Sequence, residues 1–220
     1  MIDIIYEDNH LLVVNKPINV PIVEDSSHDE DLLNSCKKYI KEKYHKTGNV
    51  YLGLVHRLDR PVGGICVFAK TSKAASRLSD AIRTHKISKQ YLAIVIDENQ
   101  SLKNQDHFED YLLKDKKTNT TTVNKNGKLS ILDYSLIERK DEFAKVLINL
   151  KTGRSHQIRV QFSSRNHPLF GDQRYNKNAK VGQQLALFSH SLSFTHPTTK
   201  ELLTFKIEPN DIYPFNKFRR

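Results

Sequence analysis

Three places in the sequence hold residue types that do chemistry, at spacings that could bring them to one task. In His56-Arg57-Leu58-Asp59-Arg60 a single carboxylate stands between two arginines. It lies at the exit of the apolar run Tyr51–Val55 and beside a turn marked by Pro61, Gly63 and Gly64. A strand end next to a tight turn holds a side chain rigidly, as a nucleophilic or basic carboxylate requires. A turn-capping Asp with solvated arginine neighbours would use the same letters. In Thr152-Gly153-Arg154-Ser155-His156-Gln157-Ile158-Arg159, donors crowd around one glycine and an expected helix start. Helix N-termini attract anions, and His156 and Arg159, three apart, would share a helix face. A generic basic helix face is the plain alternative. The third place is Lys89-Gln90-Tyr91, where a tyrosine could stack on an RNA base or simply fill a strand core.

Other chemistries find no support. The sequence has no Walker-type loop, GxGxxG, HExxH, CxxC or GxSxG, and its ten His show no paired metal-ligand spacing, so no metal site is expected. No apolar run approaches a membrane span, and the acidic opening residues do not read as a signal peptide. Two cysteines cannot form a disulfide framework, which points to a reducing cytoplasm. Lys and Arg number 35 against 25 acids, a net charge of +10, which suggests a polyanionic partner such as RNA. The excess is concentrated. His56–Lys89 has eight Lys/Arg against two acids, and Lys151–Lys180 has seven against one. These stretches also hold Asp59 and Arg159, and the first ends at Lys89, two residues before Tyr91.

The elements that must position these residues can be read in order. Ile2–Tyr6 and Leu11–Asn15 form a hairpin around Asp8-Asn9-His10. Glu24–Asp31 is an acidic loop, and Leu32, Leu33, Cys36, Tyr39 and Ile40 recur at helical spacing over Asp31 to about Tyr44. Tyr51–Val55 and Ile65–Ala69 are strands. Thr71 or Ser72 caps a helix with Ala74, Ala75, Leu78 and Ile82 on one face and Lys73, Arg77, Asp80 and Arg83 on the other. Tyr91–Ile96 is a strand, and Ser101–Ser130 is polar, with Lys116–Gly127 read as an exposed excursion. Ile131–Glu138 and Phe143–Leu150 form a second hairpin, Thr152-Gly153 opens a helix through Phe162, and Leu185–Phe194 and Leu202–Ile207 are closing strands. The expected class is α+β: a mixed, mainly antiparallel sheet flanked by a few helices, in one domain over residues 1–220.

Together these segments resemble the RluA-type pseudouridine synthases. His56-Arg57-Leu58-Asp59 with Gly64 is similar to that family's first motif, Lys89–Val95 to its second and Thr152–Arg159 to its third. His167-Pro168-Leu169-Phe170-Gly171-Asp172 with Tyr175, His196–Glu201 with Phe205, Tyr6–Asn9 and Leu12–Pro17 resemble further family segments, in the family's order. The departures are Val62-Gly63 where Thr-Ser is usual, Gln161 and Phe188 where many members have His, and Asn166 for a common Gly. The reading expects the chain to begin at the catalytic domain, without the family's frequent N-terminal S4 domain.

The resemblance implies a pseudouridine synthase fold with an RNA-binding cleft across the sheet, and isomerisation of a uridine in RNA without cofactor or metal. It implies that Asp59 acts at the sugar, as nucleophile at C1′ or base at C2′. Tyr91 would stack on the base and assist proton removal from C5. Arg159 would keep the carboxylate ionised, as a nearby guanidinium does. The expected RNA contacts are Arg57, Arg60, Lys73, Arg77, Arg154, His156 and Gln157. The substrate would be a ribosomal or transfer RNA stem-loop, since the target base must leave its stack, and the enzyme a monomer. Two other readings compete: a non-catalytic RNA-binding protein with this fold, and a glycosidase or nucleosidase. The first need not keep Asp59, Tyr91 and Arg159 together. The second needs neither concentrated positive charge nor a lone carboxylate.

Overall fold

The hairpins read around Asp8-Asn9-His10 and before Phe143 are both present and antiparallel. The structure, a computed structural model, describes residues 2–25, 27–209 and 211–218, so the acidic loop is described apart from residue 26. The chain divides into two units, Met1–Ser88 with Ser189–Ile207, and Lys89–Phe188 with Glu208–Arg220.

In the first unit β1 (Asp3–Glu7) pairs with β2 (Leu11–Lys16), β2 with β4 (Gly63–Ala69), and β4 neighbours β10 (Leu187–Thr195). β3 (Gly53–Leu54) adds to β4, and β11 (Leu202–Lys206) to β10. The register puts Leu11, Val13, Ile65, Val67 and Ala69 on one face. There they join Ala74 and Leu78 of helix α2 (Ser72–Arg83) in one buried cluster with Leu192 and Phe194. Leu12, Val14, Cys66 and Phe68 point to the opposite face and are buried as fully. Burial on both faces is why β2 and β4 read as continuous apolar runs rather than alternating ones. Helix α1 (Leu32–Lys43) turns Leu32, Cys36 and Ile40 inward. Both helices start at side-chain caps. Asp31 Oδ1 accepts the Asn34 N–H at 2.9 Å and Thr71 Oγ1 the Ala74 N–H at 3.2 Å, each worth about 1 kcal/mol.

The second unit's strands run in the order β5 (Ser88–Ile96), β9 (Phe143–Leu150), β8 (Lys128–Lys140), β6 (Gln105–Asp115), β7 (Thr120–Val123). Helix α3 (Gln157–Ser163) packs on this sheet through Phe162, whose ring centroid lies 5.1 Å from Phe108 and 5.2 Å from Tyr134. Tyr91 aligns with Ile148, and Ile148 with Tyr134. Tyr91 therefore stands on the face that carries α3. The observed class is the expected mixed, mainly antiparallel sheet, with three α-helices among the described residues.

Three local expectations are corrected. The polar stretch 101–130 is mostly strand, and its excursion is the β6–β7 hairpin. Its inward positions alternate Phe108 and Leu112 with Asp106 and Asp110, the last ion-paired to Arg165, so no apolar alternation shows in the sequence. The strand expected at Tyr51–Val55 is only the two residues of β3. Beyond it the His56 side chain accepts the Val67 N–H at 3.0 Å in place of a strand carbonyl. Finally, α3 begins at Gln157 rather than Thr152. His156, at φ +52°, ends the preceding turn in the left-handed region, so it and Arg159 do not share a helix face. Among the described residues no helix is long and apolar enough to cross a membrane.

Candidate active site

Asp59 sits in a turn closed by the Val62 N–H donating to the Asp59 carbonyl at 2.9 Å. The turn is pegged on both sides by apolar side chains, since Leu58 and Val62 are buried. It is also held from beneath. Lys16, at the end of β2, is 1% exposed, and its Nζ donates to the carbonyls of Pro17 at 2.8 Å and Arg60 at 2.9 Å. Burial lowers the Lys16 pKa to about 8, while the negative charge of Asp59 works the other way. Immediately after the turn Gly64 adopts φ +111°, and a Cβ there would lie 2.3 Å from the Ser189 carbonyl oxygen. Only glycine fits both conditions. The local sequence thus fixes the backbone of Asp59 from three directions and leaves its side chain half-buried.

The neighbouring cations differ. Arg57 is exposed. Arg60 is turned to the acidic loop, where it donates to the Asn19 carbonyl, Ser27 Oγ, Asp25 and Asp29. On α2, Lys73 is exposed, and Arg77 donates to the Pro197 carbonyl at 2.7 Å.

In the second unit Tyr91 is buried, and Gln90 beside it donates to Asn149 at 2.8 Å. Arg159 is buried and held by a two-pronged bond to Asp172, Nε to Oδ2 at 2.8 Å and NH2 to Oδ1 at 2.7 Å. Asp172 Oδ1 also accepts the backbone N–H groups of Arg174 and Tyr175. Its turn depends on Gly171 at φ +70°, where a Cβ would lie 2.1 Å from the Gln184 carbonyl oxygen. The guanidinium lies over the Tyr175 ring, 5.2 Å from its centroid. Tyr175 Oη accepts the Thr121 N–H at 2.8 Å, which leaves its proton for His156 Nδ1 at 2.7 Å. Burial raises the Tyr175 pKa and keeps that hydroxyl protonated.

Arg154, His156, Gln157 and Arg159 are therefore gathered at one turn, but in different roles. Arg154 is exposed, with Nε on the Leu129 carbonyl at 3.1 Å. Gln157, expected to touch RNA, is buried. Its amide serves Thr152, the Arg154 N–H, the Ile131 carbonyl and Gln161, so it shapes the turn instead. Sequence reasoning assigned no role to Lys16, Asp172 or Tyr175. A lysine at the end of a strand opened by the buried run Leu11–Val14 was the available signal for the first. Nothing local marked Asp172 as the partner of a residue thirteen positions earlier. Among the described residues no three His, Cys, Asp or Glu side chains gather as a metal site.

A carboxylate on a rigid turn in the first unit, and a sheet tyrosine and a clamped guanidinium in the second, are each suited to acid–base or electrostatic work. Comparison with known proteins gives the same class. The family described as RNA pseudouridylate synthase matches residues 10–164. The ribosomal large subunit pseudouridine synthase D of Blochmanniella floridana is 32% identical, over 96% of this chain and 70% of that one. The RNA pseudouridine synthase YjbO of Bacillus subtilis is 33% identical, over 93% of this chain and 71% of its own. The structure of human RNA pseudouridylate synthase domain containing 4 superposes with a TM-score of 0.78 at 21% identity, covering 94% of this chain and 89% of that one, a likeness of fold. The chain belongs to the RNA pseudouridylate synthase family, whose members are isomerases.

Proposed function

We propose that this chain isomerises a specific uridine in structured RNA to pseudouridine, with Asp59 as the carboxylate acting at the sugar. Tyr91 is the residue assigned to the base, and Arg159 is the fixed cation of the set. The observation that carries the reading is the family match over residues 10–164, which spans Asp59, Tyr91 and Arg159. The pinned turn around Asp59 supports it, because a carboxylate that must meet one atom of a flipped nucleotide needs a fixed backbone. Arg57, Lys73 and Arg154 are the exposed cations assigned to RNA. Arg60, Arg77 and His156 serve it only as far as their bonds within the fold allow. Ribosomal RNA is the first substrate to test, since relatives such as the Blochmanniella protein are named for the large ribosomal subunit. A transfer RNA stem-loop is the second. No cofactor or metal enters this reading. Two free, buried cysteines suit a reducing cytoplasm, and the enzyme is taken to work as a monomer.

Tritium release from RNA labelled at uridine C5 tests the proposal. Wild type should release tritium, and Asp59→Asn should fold, bind RNA and lose turnover by on the order of 10⁴-fold. A variant that keeps a substantial fraction of wild-type turnover would remove Asp59 from the chemistry.

A further inference from the structure

Lys89 is the one cation of the Lys89-Gln90-Tyr91 segment, and the reaction as described gives it no task. It is half-buried at the start of β5, and burial, with the charge of Arg154 next, lowers its pKa. Its Nζ donates to no acceptor among the described residues. It is packed against the Thr152–Arg154 turn so closely that a Cβ on Gly153 would lie 3.2 Å from it. Arg154 is exposed on the same turn, and its Nε bond to the Leu129 carbonyl aims it while leaving its terminal nitrogens without a carboxylate. A partly desolvated ammonium beside a like charge, with no anion to meet either, is unfavourable in the free protein. One anion seated against both would relieve the desolvation and the repulsion together.

We propose that Lys89 and Arg154 clamp a single phosphodiester of the RNA substrate across the glycine of the Thr152–Arg154 turn. Arg154 supplies a planar fork and Lys89 a point charge, the two usual ways of meeting a phosphate. Gly153 leaves the ammonium its place beside the turn, which a Cβ 3.2 Å away would make it shift. The inference rests on RNA being the substrate. It deepens that reading by adding Lys89 and by making two cations serve one phosphate.

The test is the salt dependence of RNA binding by the full chain, with tritium release measured in parallel. Lys89→Gln should reduce the slope of log K against log salt by about 0.7–0.9 and weaken binding roughly five- to eightfold at 0.1 M salt. Its melting temperature should not fall, since the variant removes an unpaired, desolvated charge. Lys89→Arg should keep the wild-type slope, and Lys38→Gln, at an exposed position of α1, should match wild type. The double variant Lys89→Gln, Arg154→Gln should lose clearly less slope than the two single losses added, because both touch one phosphate. An unchanged slope in Lys89→Gln, with wild type binding steeply and releasing tritium, overturns the inference alone. Additive losses overturn the single-phosphate clamp. Stabilisation by inorganic phosphate that depends on Lys89, with the RNA slope unchanged, would make this a free-phosphate site and also overturn it. Wild type that neither binds RNA nor releases tritium would instead sink the functional reading beneath it.

Discussion

Arg159 shows how one residue can be found in a sequence while its environment stays hidden. Its type and its place after Thr152-Gly153 marked it as a candidate cation. The structure adds that it is buried, forked onto Asp172 and laid over Tyr175. Removing one member of a buried pair leaves an uncompensated charge and costs roughly 3–5 kcal/mol. Arg159→Ala should therefore lose stability in chemical denaturation as well as turnover. Two variants separate these effects. Arg159→Lys keeps the charge but not the fork, and should recover part of the turnover. Arg159→Met with Asp172→Asn removes both charges but keeps an acceptor for the Arg174 and Tyr175 N–H groups, and should regain much of the stability while turnover stays on the order of 10²–10³-fold down. RNA affinity should fall less than turnover in each. Equal losses of binding and turnover would make Arg159 an ordinary phosphate contact.

At the scale of elements, the sequence was most legible where burial follows one simple period. The span of α1, the cap of α2, the apolar runs of β2 and β4, and the hairpin of β8 and β9 all lie within a few residues of where the pattern puts them. It was least legible where a polar group does a structural job. Asp110 hides the alternation of β6, His56 replaces a strand carbonyl beside β4, and a left-handed His156 delays α3. Each depends on a partner distant in sequence, which no local pattern contains. Glu7 is the same kind of residue, with a consequence that can be measured. It lies on β1 and accepts from Tyr39, Lys43 and Tyr44 at the end of α1, and from Lys70 beyond β4. Burial alone would raise its pKa, but the bonds from Lys43, Lys70 and the two tyrosines hold it down at about 2. A carboxyl lowered in the folded state contributes stability that is full above its unfolded value, near 4.5, and is lost as pH falls through about 2. Wild-type stability should therefore drop between pH of about 4.5 and 2, and Glu7→Gln should flatten that part of the profile. The same slope in both proteins, measured by urea denaturation across this range, would assign the acid sensitivity to other carboxylates.

For the molecule as a whole, the structure narrows what the net charge can do. Fifteen Lys/Arg lie in the two basic stretches. Among them Arg60, Lys70, Arg83, Lys151, Arg159 and Arg165 already face carboxylates. The rest, Lys73 and Lys89 included, have no carboxylate partner among the described residues and are the charges available to phosphate. If about five of them reach phosphates, log K for RNA should fall with log salt at a slope near −3.5 to −4.5, between the single-strand and duplex coefficients. Helix α2 decides where this footprint lies. Its apolar face is committed to the first unit's core, so Lys73 and Arg77 project from the other side, Arg77 partly tied by the Pro197 carbonyl. Reversing both to Glu should weaken binding and flatten the slope. Lys116 and Lys117 stand at the tip between β6 and β7, outside the two stretches, and their reversal should change the slope much less. The comparison requires both double variants at matched salt, on the same RNA. If the two behave alike, binding follows total charge rather than position, and the basic stretches have no special claim on the substrate.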